Sequence, residues 1–182
     1  HWGVHMDNFI FIGMPASGKS SVGAAVAQKL GYRFIDTDDL IREQKGKPLK
    51  EIIDEVGNEG FLEIENRINR ELQAEKCVIS PGGSVIYCRE AMEHYREIGT
   101  IIYLSVSFVD IRKRIRSLRK RGVVLKPDQT FRDLYRERTA LYRKYANITV
   151  DETGFRREET VENVIKAIRK YQKKQKHGMS DS

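Results

Sequence analysis

Short apolar runs separated by longer stretches of helical periodicity organise this chain. Asn8-Phe9-Ile10-Phe11-Ile12 is apolar almost throughout and stops at Gly13, the pattern of a strand buried on both faces. Val22, Ala25, Val26 and Leu30 then recur at helical spacing over 20–30, and Gly31 ends them. The alternation predicts further strands at 33–35, 77–79, 100–104 and 148–150. Helices are predicted at 40–44, 48–56, 58–74, 90–97, 109–119, 130–145 and 158–172, with a loop at 122–129. This order predicts an α/β fold, a five-stranded parallel sheet with helices on both faces. Ligands of such sheets bind beyond the carboxyl ends of the strands, which sets residues 13–20, 36–38 and 81–83 on one rim.

Composition narrows the class. A chain of 182 residues, 40% hydrophobic and 32% charged, is expected to form one domain over 7–172. His1 to His5 reads as a remnant ahead of a natural start at Met6, and 173–182 as a flexible basic tail. No apolar run approaches the ~20 residues of a membrane helix, so no membrane partner is expected. Cys77 and Cys88 form neither a metal motif nor a disulfide framework, so a cytoplasmic location is expected. The net charge of +7 is uneven, with thirteen Lys/Arg against three Asp/Glu between Arg112 and Lys144. That concentration points to a local anionic ligand; a solvated helix face is the plainer explanation. Nucleic acid is not expected, because no nucleic-acid motif accompanies the cations.

Gly13-Met14-Pro15-Ala16-Ser17-Gly18-Lys19-Ser20 matches the phosphate-loop pattern G-x-x-x-x-G-K-[ST] in full. Backbone N–H groups of such a loop surround a phosphate, and the helix that follows aims its positive end at it. Lys19 would reach the β- and γ-phosphates, and the Ser20 hydroxyl would hold Mg²⁺. Expected nucleotide contacts are therefore Gly13, Pro15, Ala16, Ser17, Gly18, Lys19, Ser20 and Ser21. This fixes a nucleoside triphosphate but leaves kinase, GTPase and ATPase open. At the end of the next strand Asp36 and Asp38 flank Thr37. In an extended segment residues two apart point the same way, so both carboxylates could face the γ-phosphate. The alternative is that Asp38 or Asp39 caps the helix starting near Leu40.

At this point the chain resembles the shikimate kinase family, a branch of the nucleoside-monophosphate-kinase-like P-loop fold. The resemblance runs from about Asn8 to Ile168. It rests on the phosphate loop, Phe34-x-Asp36-x-Asp38, Glu59-Gly60-Phe61 with Glu65, and Gly82-Gly83-Ser84-Val85. Further on it rests on Arg114, Lys120-Arg121 and Arg138-x-x-Leu141-Tyr142. It implies a small-molecule kinase using ATP and Mg²⁺, with Asp36 and Ser20 at the metal and Asp38 on the acceptor hydroxyl. Gly82 and Gly83 would offer backbone N–H groups to the substrate, and Arg138 would grip its carboxylate. Arg121 would close over the phosphates from a mobile lid at about 118–130. Arg114 would lie against the adenine, with Asp151 and the residues up to 154 along its other side. Lys19, Asp38 and Arg121 are then the expected catalytic groups, in an expected monomer.

Physical chemistry supports these roles. Phosphoryl transfer needs positioning and positive charge around the moving group, and a lid arginine supplies charge only when closed. A planar guanidinium makes two parallel bonds to a carboxylate. The departures fall on the acceptor side. Leu62 stands where the family carries a second substrate arginine, Pro81 replaces the first glycine of a G-G-G turn, and the lid reads Arg121-Gly-Val-Val-Leu125. Losing one charge-assisted contact costs roughly 1.5–3 kcal/mol. Shikimate is thus the first expected acceptor, and another small hydroxy acid, such as homoserine or gluconate, the second. A catalytically silent nucleotide-gated binding protein is a reading of a different class.

Overall fold

The computed structural model describes residues 7–116 and 129–180. Five strands, β1 (Asn8–Ile12), β2 (Arg33–Asp36), β3 (Cys77–Ser80), β4 (Gly99–Ser105) and β5 (Ile148–Asp151), form one sheet in the order β2-β3-β1-β4-β5. Every pairing is parallel. Side chains alternate across each strand, so the apolar runs feed two cores. Ile10, Ile12, Ile79, Ile101 and Tyr103 face one way. They pack against α4 (Arg89–Ile98), α5 (Phe108–Arg116) and α6 (Phe131–Tyr145). Phe9, Phe11, Val78, Ile102 and Leu104 face the other way, onto α1 (Lys19–Leu30) and α7 (Arg157–Ser180). Helices therefore cover both faces, as the sequence pattern predicts.

A smaller apolar cluster, Ile41, Ile52, Phe61 and Ile68, joins α2 (Thr37–Lys45) to α3 (Leu49–Arg70) beside the rim of the sheet. The two helices predicted at 48–56 and 58–74 meet, as expected, at a kink within α3 at Gly57, whose φ of 74° only glycine adopts without strain. The chain then turns at Arg70 rather than at 74. The buried Asn8 ties the lower ends of the strands, donating to the Ala74 and Ile98 carbonyls and accepting from Cys77 N–H.

The stretch expected as a flexible tail from 173 continues α7 to Ser180, and 173–178 are exposed. One expectation is corrected. Asp38 is not in an extended segment. β2 ends at Asp36, which is itself the N-cap of α2 and accepts from Asp38 N–H at 2.9 Å, so Asp38 lies in the first helical turn. The lid up to 128, Arg121 and His1 to His5 lie outside the described residues. Among the described residues no helix is long and apolar enough to cross a membrane.

Candidate active site

The loop after β1 takes the shape that its glycines allow. Gly18 is the N-cap of α1 at φ 87°, and no side chain caps that helix end, so its first N–H groups are left for a ligand. Ala16 also has positive φ, 66°, an uncommon state for a residue with a Cβ. Arg114 holds it there, donating from Nη1 to the Ala16 carbonyl at 3.2 Å and to Glu152 Oε1 at 2.5 Å. Glu152 is buried, and its other oxygen reaches 3.3 Å from where a Cβ on Gly18 would stand. Ser17 Oγ is buried inside the loop without a hydrogen-bond partner. An orphaned donor, uncapped N–H groups and an inward lysine fit a bound polyphosphate.

Lys19 projects from the first turn of α1 and is buried, its Nζ 3.5 Å from the Met14 carbonyl. Burial lowers its pKa; Asp38 opposes that shift most strongly, and Asp36 and Glu65 also raise it. Next to it, Ser20 Oγ lies 3.4 Å from Asp36 Oδ2 and 3.0 Å from Ser80 Oγ, at the end of β3. Asp36 thus uses one oxygen to cap α2 and turns the other toward Ser20. Hydroxyl and carboxylate oxygens at the mouth of a phosphate loop suit a magnesium ion completed by phosphates and water. Among the described residues no cluster of three or more His, Cys, Asp and Glu offers an all-protein metal cage.

The second half of the site is a cavity of about 900 Å³ beside this loop. Its floor is the turn Gly82-Gly83, followed by a 3-10 turn over Gly83–Tyr87. A Cβ on Gly82 would stand 2.8 Å from Glu65 Oε2 and 2.9 Å from Asp38 Oδ1. One on Gly83 would stand 2.9 Å from Pro15 Cδ and 3.1 Å from Arg138 Nη1. The glycine ledge therefore brings Asp38 from α2, Glu65 from α3 and Arg138 from α6 around one space. Arg138 is only 6% exposed, lies over the Tyr87 ring at 5.6 Å, and leaves Nε without a partner. Tyr142, one helical turn on, braces the ledge by donating to the Gly83 carbonyl at 2.5 Å. Burial, then the neighbouring Asp36 charge, raises the pKa of Asp38, and burial lifts Glu65 to about 7.

Most of the sequence candidates meet at this rim, and three positions differ in detail. Pro15, expected on the nucleotide side, lines the cavity beside the loop. Ser21 is exposed and its hydroxyl accepts from Arg157 at 3.0 Å. Asp151 is exposed at the end of β5 and accepts from Thr153 N–H, whereas the buried carboxylate of that segment is Glu152. Glu152 continues the inward phase of Ile148 and Val150, a period-two signal present in the sequence. Leu62 lines the cavity where a second cation was in question. Arg67 and Arg70 on the same helix pair with Glu71 and Glu90.

Comparison with known proteins agrees with this geometry. A family model described as shikimate kinase matches residues 15–169. The shikimate kinase of Persephonella marina is 32% identical over 165 residues, spanning 90% of this chain and 100% of the relative. Threonine synthase-like 1 of Homo sapiens is 35% identical over 168 residues, 91% of this chain but 23% of that longer protein. The structure of shikimate kinase from Acinetobacter baumannii in complex with shikimate superposes with a TM-score of 0.80 at 26% identity. That match covers 89% of this chain and 92% of the other. The phosphate loop, the ledge and the extent of these matches lead to one assignment: the chain belongs to the shikimate kinase family, small-molecule kinases that transfer a phosphoryl group from ATP to a hydroxyl.

Proposed function

We propose that this protein phosphorylates a hydroxyl of a small carboxylate-bearing acceptor, with shikimate as that acceptor. The observation that carries this reading is the ledge, where Asp38 and Arg138 flank a cavity that opens beside Lys19. Arg138 takes the acceptor carboxylate through its guanidinium fork. Asp38 orients the acceptor hydroxyl and receives its proton as the oxygen bonds to the γ-phosphorus. The bond to the bridging oxygen of ADP breaks, and Lys19 lies against the charge that accumulates there. Mg²⁺, held by Ser20 and Asp36, would supply further positive charge to the β- and γ-oxygens. Arg121, from the lid expected at 118–130, is assigned the remaining positive charge, and Arg114 the face of the adenine.

A monomeric enzyme is part of this reading. Cys77 and Cys88 are both free and buried, which supports a cytoplasmic location. Following ADP release with ATP, Mg²⁺ and shikimate, L-homoserine or gluconate tests the reading. Shikimate turnover that Lys19→Ala abolishes is the expected result; turnover of another acid with none of shikimate overturns that acceptor. Leu62 favours this second reading, a kinase of the same fold for another hydroxy acid, because among the described residues Arg138 alone supplies an arginine to the cavity lining.

A further inference from the structure

Glu65 lies in the floor of the acceptor cavity with no exposed surface, and nothing in the phosphoryl-transfer chemistry uses it. It follows Leu62 by three residues on α3, so the two side chains share a helix face. A cation at 62 would stand beside Glu65; leucine supplies none. Ser84 Oγ donates to Glu65 Oε1 at 2.6 Å, while Oε2 is buried without a hydrogen-bond partner. That orphaned oxygen is the one that lies over Gly82 next to Asp38 Oδ1, with Arg138 Nη1 over the adjoining Gly83. A buried carboxylate oxygen left unpaired is costly, so a ligand that completes it gains affinity.

The groups facing Glu65 decide which ligand completes it. Asp38 comes from α2, Lys19 from α1 and Arg138 from α6; Ser84 comes from the 3-10 turn. Tyr95 on α4 and Cys88 at its N-cap are also near, and burial keeps both neutral, with Cys88 pushed up to about 12. An acceptor carboxylate seated on Arg138 would meet two negative groups if Glu65 stayed ionised. Protonation removes that repulsion and turns Oε2 from an acceptor into a donor. Burial already holds Glu65 at a pKa of about 7, where a proton is available.

We propose that Glu65 in its acid form donates to the acceptor's carboxylate where a second arginine would otherwise do so, so that the acceptor binds together with one proton. This rests on the reading that Arg138 holds an acceptor carboxylate. The proton comes from solvent, and no other bond forms or breaks. The acceptors favoured are hydroxy acids of net negative charge. A zwitterionic hydroxy amino acid would instead bind best to ionised Glu65.

Calorimetric titration of shikimate and of gluconate into the ADP-saturated protein, from pH 6 to 9 in buffers of different ionisation enthalpy, tests this. The phosphates of bound ADP oppose the loss of the Lys19 proton, so the parent and Glu65→Gln are compared at the same ADP saturation. The expected result is uptake of close to one proton per acceptor above pH 7 and a Kd that rises by up to about tenfold per pH unit there. Glu65→Gln, whose amide still donates, should bind at all pH values without proton uptake, and Leu62→Arg should also lose the uptake. ADP affinity equal to the parent's shows that each variant is folded. A pH-independent Kd in the parent, affinity that strengthens with pH, or uptake that persists in Glu65→Gln overturns the inference. If no carboxylate binds at any pH, the assignment of Arg138 to the acceptor falls instead.

Discussion

Replacing Gly82 by alanine separates the ledge's role in the reaction from its role in the fold. Gly82 has φ −62° and ψ 159°, a conformation open to any residue, so the added methyl strains no backbone. Its neighbours are the problem. Glu65 Oε2 at 2.8 Å and Asp38 Oδ1 at 2.9 Å stand about half an ångström inside ordinary carbon–oxygen contact, ~3.3 Å. Both atoms are side-chain ends and can swing aside, at about 0.5–1.5 kcal/mol each for an off-rotamer angle. The stability loss is then ~1–3 kcal/mol, a fall in Tm of several degrees. Catalysis suffers more, because the swing displaces both Asp38 and Glu65 and the methyl takes up room above the ledge. A misplacement near 1 Å costs about a hundredfold in rate. Gly82→Ala should therefore lose at least about a hundredfold in kcat/KM for the acceptor, with KM for ATP within about threefold of the parent. Steady-state kinetics with each substrate varied, together with a melting curve, measures both effects. Acceptor kcat/KM within about threefold of the parent would show that the acceptor does not sit on the ledge.

Asp38→Asn should lower kcat by about 10²–10⁴-fold while leaving ATP affinity near that of the parent, measured by turnover and by nucleotide titration. Glu65 gives a stability prediction in the absence of ligand. Its folded pKa of about 7 lies above the ordinary 4.5, so between those values the folded state binds more protons than the unfolded. Stability then falls as pH rises through that window, by ~3 kcal/mol in all, and stays lower above it. Denaturant unfolding at pH 5 and pH 8 should show this loss, and Glu65→Gln should remove most of it; equal pH dependence in both proteins would contradict the burial argument. Leu62→Arg should lower KM for shikimate by about ten- to a hundredfold, the worth of one charge-assisted bond, and a higher KM would show a cavity rebuilt around leucine. Glu152→Ala removes the charge that holds Arg114 on the Ala16 carbonyl. With Arg114 partly exposed, this should raise KM for ATP by about three- to tenfold without changing KM for the acceptor.

What the sequence made legible was local. A run such as Phe9 to Ile12 states both that a strand forms and that it is buried on both faces. The phosphate loop is contiguous, so its backbone geometry is implied by its own glycines. Asp36 and Asp38 were legible as a pair, but the reason was not: they converge because Asp36 ends a strand by capping the helix that carries Asp38. Gly57 was legible as the boundary between two helical stretches, and its positive φ is what kinks the chain there. Glu65 and Glu152 owe their importance to partners distant in the chain. Ser84 lies nineteen residues from Glu65 and Arg114 thirty-eight from Glu152; the family resemblance singled out Glu65 without its partners, and the β5 alternation alone hinted at Glu152.

The same contrast explains how one site can keep its nucleotide and alter its acceptor. The nucleotide half is built from a single loop, one helix end and the Arg114–Glu152 brace, so a substitution on α3 does not reach it. The proposed acceptor half is assembled over two glycines from α2, α3, the 3-10 turn and α6. Leu62 packs against the large core as readily as it lines the cavity. An arginine there would be held by Glu65; a leucine leaves Glu65 to the ligand. On the role proposed for Glu65, the residue at 62 sets acceptor preference through the carboxylate three residues away, while the phosphate loop keeps its own braces.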